Sequence, residues 1–143
     1  MGRANTIVHG TAVALSGRAV LFVGPSGSGK SGHALALMAL GADLVADDRT
    51  EIAAREGRLI VSAPPSLRGV IEARGVGLLR AASRQNVPLA LVVDLGRREE
   101  ARLPPQRTWE CLSLSVPLLH KVESAILIPA IVQYLRGGGL ADV

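Results

Sequence analysis

Apolar positions fall in short runs broken at regular intervals by glycine, proline and charge. Thr11–Leu15 and Arg18–Val23 are two such runs with only Ser16-Gly17 between them, a pattern that predicts a β-hairpin with a tight turn. The second run leads directly into Gly24-Pro25-Ser26-Gly27-Ser28-Gly29-Lys30-Ser31. Beyond it, Ala34, Leu35, Leu37, Met38 and Leu40 recur at helical spacing, and Gly41 supplies a stop. Leu44–Ala46 reads as a buried strand ending at Asp47-Asp48. Thr50–Ala54 and Leu59–Ser62 flank Arg55-Glu56-Gly57-Arg58 and predict a second hairpin, followed by a loop at Pro64-Pro65. The stretch Ser66–Leu79 is interrupted by Gly69, Gly75 and Gly77 and commits to neither helix nor strand. Leu89–Val93 is a strongly β-like run ending at Asp94, and the polar stretch Arg97–Arg107 predicts a surface connection. Leu112–Val116 predicts a short strand. Val122–Leu135 predicts the last helix, with Pro129 against it in the middle, and Gly137-Gly138-Gly139 predicts a frayed tail. No internal repeat and no low-complexity linker is visible. This order of elements predicts an α/β fold with a mixed sheet, in a single domain over residues 1–143.

A chain of 143 residues has room for one sizeable core. Hydrophobic residues make up 48% of it and charged residues 20%, which excludes a disordered chain. Aromatic residues are only 2%, so the core is aliphatic and a base-stacking RNA surface has too few rings. The formal charge of +4 comes from scattered arginines, without the dense basic run of a nucleic-acid surface; it fits a phosphorylated ligand or an acidic partner. No apolar stretch is long enough for a membrane span, and Met1–Thr11 lacks the apolar core of a signal peptide. The one cysteine, Cys111, excludes an internal disulfide and a cysteine-based zinc site. A cytoplasmic protein is the expectation; Cys111 and His33 are assigned to structure.

Gly24–Ser31 matches the phosphate-loop pattern G-x-x-x-x-G-K-[ST] in full and lies between a predicted strand and a predicted helix. The glycines let backbone N–H groups turn inward around phosphate oxygens, and the helix that follows aims its positive end at the same point. Lys30, one of only two lysines, can reach the outer phosphates, and the Ser31 hydroxyl can ligate Mg²⁺. Chemistry also needs a metal-binding acid and a base. Asp94 closes an apolar strand in the manner of a Walker-B acid, although a strand-end Asp is more often a turn cap. Asp47-Asp48 is a pair whose mutual repulsion a metal, an arginine or a proton would offset, and Arg49 follows at once. A carboxylate beside the transferring phosphoryl could take the proton from a hydroxyl nucleophile.

Three stretches together resemble one family. Gly24–Ser31, Leu44-Val45-Ala46-Asp47-Asp48-Arg49 and Ile71-Glu72-Ala73-Arg74-Gly75-Val76-Gly77-Leu78-Leu79 resemble the catalytic domain of HPr kinase/phosphorylase, the third being the most specific. The resemblance runs from His9-Gly10 to about Leu79 and weakens beyond. It implies a fold related to phosphoenolpyruvate carboxykinase, in a short form lacking an N-terminal domain. It implies use of ATP and Mg²⁺ and an HPr-like phosphocarrier protein as partner, phosphorylated on serine and in many members dephosphorylated by phosphorolysis. Family members often form homo-oligomers. The resemblance assigns His9, Lys30 and Asp48 to catalysis, Asp48 as the group that exchanges a proton with the serine. It assigns Gly24, Pro25, Ser26, Gly27, Ser28, Gly29, Lys30 and Ser31 to the nucleotide, and Ser31, Glu72 and Asp47 to the metal. Arg74 falls in the segment tied to phosphorolysis.

Two departures stand out. Gly32 occupies a position that is usually acidic, and Pro117–Glu123 replaces a loop that carries a further active-site arginine. His120 and Lys121 are the cations available there, and neither offers a guanidinium fork. Phosphorolysis is therefore expected to be the weaker direction. The readings from other classes are a nucleotide-binding regulatory module with little turnover and a phosphate-loop kinase of a small metabolite.

Overall fold

The computed structural model describes residues 5–141; the outermost ends of the predicted domain span, 1–4 and 142–143, lie outside the described residues. Among the described residues, two strands precede the first helix and eight more separate it from the second. Strand β1 (Asn5–Leu15) turns through Ser16-Gly17 into β2 (Arg18–Val23), and the loop after β2 delivers helix α1 (Lys30–Met38). β3 (Asp43–Ala46), β4 (Arg49–Arg55) and β5 (Arg58–Ser62) follow, then β6 (Val70–Ala73), β7 (Gly77–Arg80) and the long β8 (Val87–Arg98). β9 (Arg107–Cys111), β10 (Leu114–Lys121) and α2 (Leu127–Gly137) complete the chain.

The principal sheet runs β2-β1-β4-β5-β8-β10-β9, with β3 beside β1, and a further β2–β8 pairing closes a ring through β1, β4, β5, β8 and β2. β2, β8 and β10 are parallel neighbours; the other pairings are antiparallel, so the sheet is mixed, as predicted. Alternation along the strands fills two cores. Ala12, Ala14 and Leu21 face one core, with Ile52, Val61 and Val92; Val13, Val20 and Phe22 face the other, under α1 and α2. On β8 the alternation changes phase: Val87 and Leu89 share a core with Val92 rather than with Leu91. A register shift against β2, where Ala19 meets Leu89 and Val20 meets Leu91, inserts the extra residue that turns the strand over. Helix α2 buries Leu127, Ile131 and Leu135, one per turn, each burial stabilising by roughly 1.5–3 kcal/mol. Arg18, at the β1–β2 turn, donates to the Leu135 carbonyl and so ties the end of α2 to the hairpin.

Several boundaries differ from the sequence expectation. The first strand begins at Asn5, because its exposed half pairs with β4. Ser66–Leu79 resolves into a short 3₁₀ turn (Pro65–Leu67) and the β6–β7 hairpin, whose Gly75 and Gly77 have φ of 84° and 136°. Leu112 belongs to a turn: Leu112 and Ser113 have φ of 50° and 65° and join β9 to β10 with Cys111 opposite Leu114. β8 extends to Arg98, so the polar connection is shorter than Arg97–Arg107. α2 begins at Leu127, which puts Pro129 in its first turn, where no intrahelical N–H bond is lost. The glycines after it form a cap, with Gly138 at φ 84° and both Gly138 and Gly139 donating to the Tyr134 carbonyl. No helix among the described residues is long and apolar enough to cross a membrane.

Candidate active site

The loop between β2 and α1 wraps the N-terminus of α1. Gly27 and Gly29 have φ of 82° and 99°, which side-chain-bearing residues rarely adopt, and these turns let the loop curl. Gly24 is required for a second reason: a Cβ there would lie 2.8 Å from Ser28 Oγ and 3.1 Å from Gly96 N. Lys30 is only 7% exposed, and its ammonium donates to the Gly24 and Pro25 carbonyls at 2.9 and 3.0 Å, across the mouth of the loop. A long cationic side chain is thus ordered beside a positive helix end, with no acid among the described residues paired to it.

A cavity of about 550 Å³ opens over this loop. Ser26, Gly27, Gly29, Lys30 and Ser31 form its floor; His9 and Asp48 form one wall, and Glu72 and Arg74 another. Four residues assigned from sequence stand behind this lining. Gly24 and Pro25 hold Lys30, the Ser28 hydroxyl is buried without a partner, and Asp47 lies beneath Ser31. Asp47 Oδ1 accepts from Ser31 Oγ at 2.7 Å and from Thr11 Oγ1 at 3.0 Å, while Oδ2 accepts from the Glu72 N–H at 2.9 Å. One carboxylate therefore joins β1, α1 and the β6–β7 hairpin. Asp48 has φ 67°, a left-handed conformation that Asp tolerates better than most residues. Its N–H donates to Thr11 Oγ1 at 3.2 Å and its carbonyl accepts from Gly10 N at 3.0 Å. So pinned, its carboxylate lies 3.1 Å from His9 Nδ1 and remains 61% exposed.

The other candidates separate cleanly. Asp94, expected at a strand end, lies inside β8 because the strand runs on to Arg98; it is in register with Val23, accepts from Gly96 N at 2.8 Å and pairs with Arg97 at 3.6 Å. It does not line the cavity. His120 and Lys121 end β10 on the far side of β8; Lys121 pairs with Glu123 at 3.7 Å, and neither lines the cavity. The cationic replacement considered for them is absent from this cavity, where Arg74 joins Lys30 instead. Among the described residues no three His, Cys, Asp or Glu side chains converge as a ready-made metal cage. His33, assigned to structure, contacts the Gly29 carbonyl at 2.7 Å and lies 5.5 Å, centroid to centroid, from the Phe22 ring. Burial pushes the Cys111 thiol up, away from reactivity. Sequence reasoning missed Thr11, a buried hydroxyl that binds both acids of the pair; its one signal was a polar residue opening an apolar strand.

The sequence model of the family described as HPr Serine kinase C-terminal domain matches residues 3–104. HPr kinase/phosphorylase 1 of Oceanobacillus iheyensis is 36% identical over 146 residues, which cover 96% of this chain and 45% of that protein. HPr kinase/phosphorylase of Clostridium tetani is 44% identical over 90 residues, covering 63% of this chain and 29% of that protein. The chain thus spans less than half the length of these relatives. The solved structure of the Hpr(Ser) kinase/phosphatase from Coxiella burnetii superposes with a TM-score of 0.77, over 93% of this chain and 95% of that one, at 23% identity. That likeness covers more of the chain than the family match does. The chain belongs to the HPr serine kinase C-terminal domain family.

Proposed function

We propose that this chain is a catalytic domain of an ATP- and Mg²⁺-dependent protein serine kinase that phosphorylates HPr or an HPr-like phosphocarrier. The observation that carries the reading is the Asp48 carboxylate, fixed beside His9 on the wall of a cavity whose floor is the Lys30 loop. The residues suit the ligands. The curled loop and the start of α1 present N–H groups to phosphate, and Ser31 with Asp47 offers a hydroxyl–carboxylate pair for a hydrated Mg²⁺, with Glu72 on the same side. ATP with Mg²⁺ supplies the transferable phosphoryl group and neutralises part of its charge.

In this reading Lys30 holds the outer phosphates and Arg74 offsets charge on the open side. Asp48 accepts the proton of the incoming serine hydroxyl, and His9 orients the carboxylate that does so. In reverse, protonated Asp48 returns the proton to the departing serine. A cytoplasmic setting belongs to the same reading. The test is incubation with purified HPr, ATP and Mg²⁺, followed by intact mass. The wild type should add one phosphoryl group to HPr, Asp48→Asn should lose roughly 10²-fold or more in rate, and Asp94→Asn should stay close to wild type. Nucleotide binding without transfer would leave the regulatory-module reading, and a dead Asp94→Asn beside an active Asp48→Asn would move the chemistry to β8.

A further inference from the structure

Arg49 follows the acid pair in sequence, yet its side chain offsets neither acid. Asp47 is satisfied by Ser31, Thr11 and the Glu72 N–H, and Asp48 faces His9. Arg49 instead opens β4 directly opposite His9. The bond from Gly10 N to the Asp48 carbonyl makes this a non-hydrogen-bonded pair, the kind in which cross-strand side chains lie closest. Arg49 is thus an exposed cation beside the wall that carries Asp48, without lining the cavity itself.

Strand periodicity extends this point into a surface. On one face of β1, Val13 packs in the core under the helices, Thr11 and His9 line the cavity, and Ile7 and Asn5 continue beyond it. Ile7 is 59% exposed, so the face that is covered at Val13 is open here. Opposite these residues on β4 stand Arg49, Glu51 and Ala53, and Arg55 continues the row. The alternate residues Val8, Ile52 and Ala54 turn inward. From Arg49 to Arg55 the row spans about 20 Å at the rise of a strand. At its far end the sheet sets Arg55 directly opposite Arg58, both exposed. Like charges so placed repel and weaken a hairpin. Arg49, Arg55 and Arg58 make no ion pair among the described residues, and Glu51 is the acid on their face. An arrangement that costs the free chain stability is offset when an anionic surface lies across it.

We propose that this row, from Arg49 past Ile7 to the Arg55–Arg58 pair, is the docking surface for the acceptor protein and takes an acidic segment of it. Position selects the occupant. The acceptor must bring its serine to Asp48 while polyphosphate holds the cavity floor, and the row begins at that wall. A protein surface carrying carboxylates around an apolar side chain complements guanidiniums around Ile7. The proposal rests on the kinase reading given above.

Steady-state transfer to HPr, with HPr and ATP varied in turn, tests it on wild type, Arg49→Ala, Ile7→Ser and Arg55→Glu. Arg55→Glu turns the repelling pair into an attracting one and should melt roughly 1–4 °C above wild type. It should nevertheless raise KM for HPr about tenfold, with kcat and KM for ATP within about twofold. Arg49→Ala and Ile7→Ser should also raise KM for HPr and leave KM for ATP unchanged. KM for HPr should climb with salt in wild type and climb less steeply in Arg55→Glu. A gain in stability with KM for HPr unchanged would make the arginine pair a structural feature only and overturn the docking surface. Equal losses toward HPr and ATP would overturn it too. Sedimentation and titration with single-stranded RNA check two other occupants: self-association or RNA binding abolished by Arg55→Glu, with KM for HPr unchanged, would give the row to a second copy or to nucleic acid. Each of these outcomes leaves the kinase reading intact, whereas no transfer to HPr by wild type would overturn that reading and the docking surface with it.

Discussion

Asp48 and Lys30 show how much of this site is set by single side chains. Asp48 is held in a left-handed conformation by bonds to Thr11 Oγ1 and Gly10 N, so its carboxylate is aimed before any ligand arrives. Asparagine also tolerates that conformation, which makes Asp48→Asn a cleaner probe of proton transfer than alanine. Lys30 spans the loop mouth through two carbonyls, and those carbonyls lose a donor when phosphate draws the ammonium away. ATP with Mg²⁺ at a hundredfold excess over Kd should stabilise the wild type by about 2.7 kcal/mol, roughly 6–10 °C in Tm for a domain of this size. Lys30→Ala should stay folded and lose most of that shift; an equal shift in both proteins would remove the phosphate-loop reading. The lysine and the acid pair were legible in sequence because glycine spacing and adjacent carboxylates are local signals. Thr11 was not, because its role depends on β3 and β4 folding back onto β1, some 36 residues away along the chain.

At the scale of elements, the segment joining β8 to β9 is anchored by one ion pair. Glu99 is drawn tight against Arg107, with 9% of its side chain exposed. Burial acts to raise its pKa, but the Ala101 N–H, the Arg107 guanidinium and nearby His120 outweigh it and hold the carboxyl below its ordinary value. A depressed folded pKa means the stabilisation is present above the ordinary glutamate range and is lost as pH falls through the folded value. Glu99→Gln should therefore melt below wild type at neutral pH, with the gap closing in increasingly acidic buffer; a gap independent of pH would mean the pair contributes through packing alone. Short-range patterns made the two hairpins at Ser16-Gly17 and Glu56-Gly57 and helix α1 readable. The β6–β7 hairpin was hidden because its strands are four residues each and β7 is exposed along its whole length, so it shows no apolar alternation. Pro129 misled for a positional reason, since a first-turn proline costs little and a mid-helix one costs about 3 kcal/mol.

Across the whole molecule, the closing of the sheet decides which charges can act together. β1 pairs with β2, β3 and β4, and so brings His9 and Thr11 to the loop after β2 and to the acids after β3. β8 then separates that group from the end of β10. His120 and Lys121, readable in sequence as stand-ins for an active-site arginine, lie beyond this divider, and Lys121 is already paired with Glu123. Among the described residues, Lys30 and Arg74 are the Lys and Arg side chains lining the phosphate cavity. In the proposed reaction, forward transfer would place one polyphosphate there. Phosphorolysis places inorganic phosphate against a phosphoserine, two anions whose repulsion calls for more fixed positive charge at close range. If Asp48 exchanges the proton as proposed, removing it should slow both directions, but the shortage of cations bears on phosphorolysis alone. With serine-phosphorylated HPr and phosphate in the millimolar range, pyrophosphate release should run roughly tenfold or more below forward transfer under matched conditions. Arg74→Ala should lower that residual release further than it lowers the forward rate. Release as fast as forward transfer would show that a cation from the end of β10 reaches the cavity after all, and that β8 does not divide the two groups of charge.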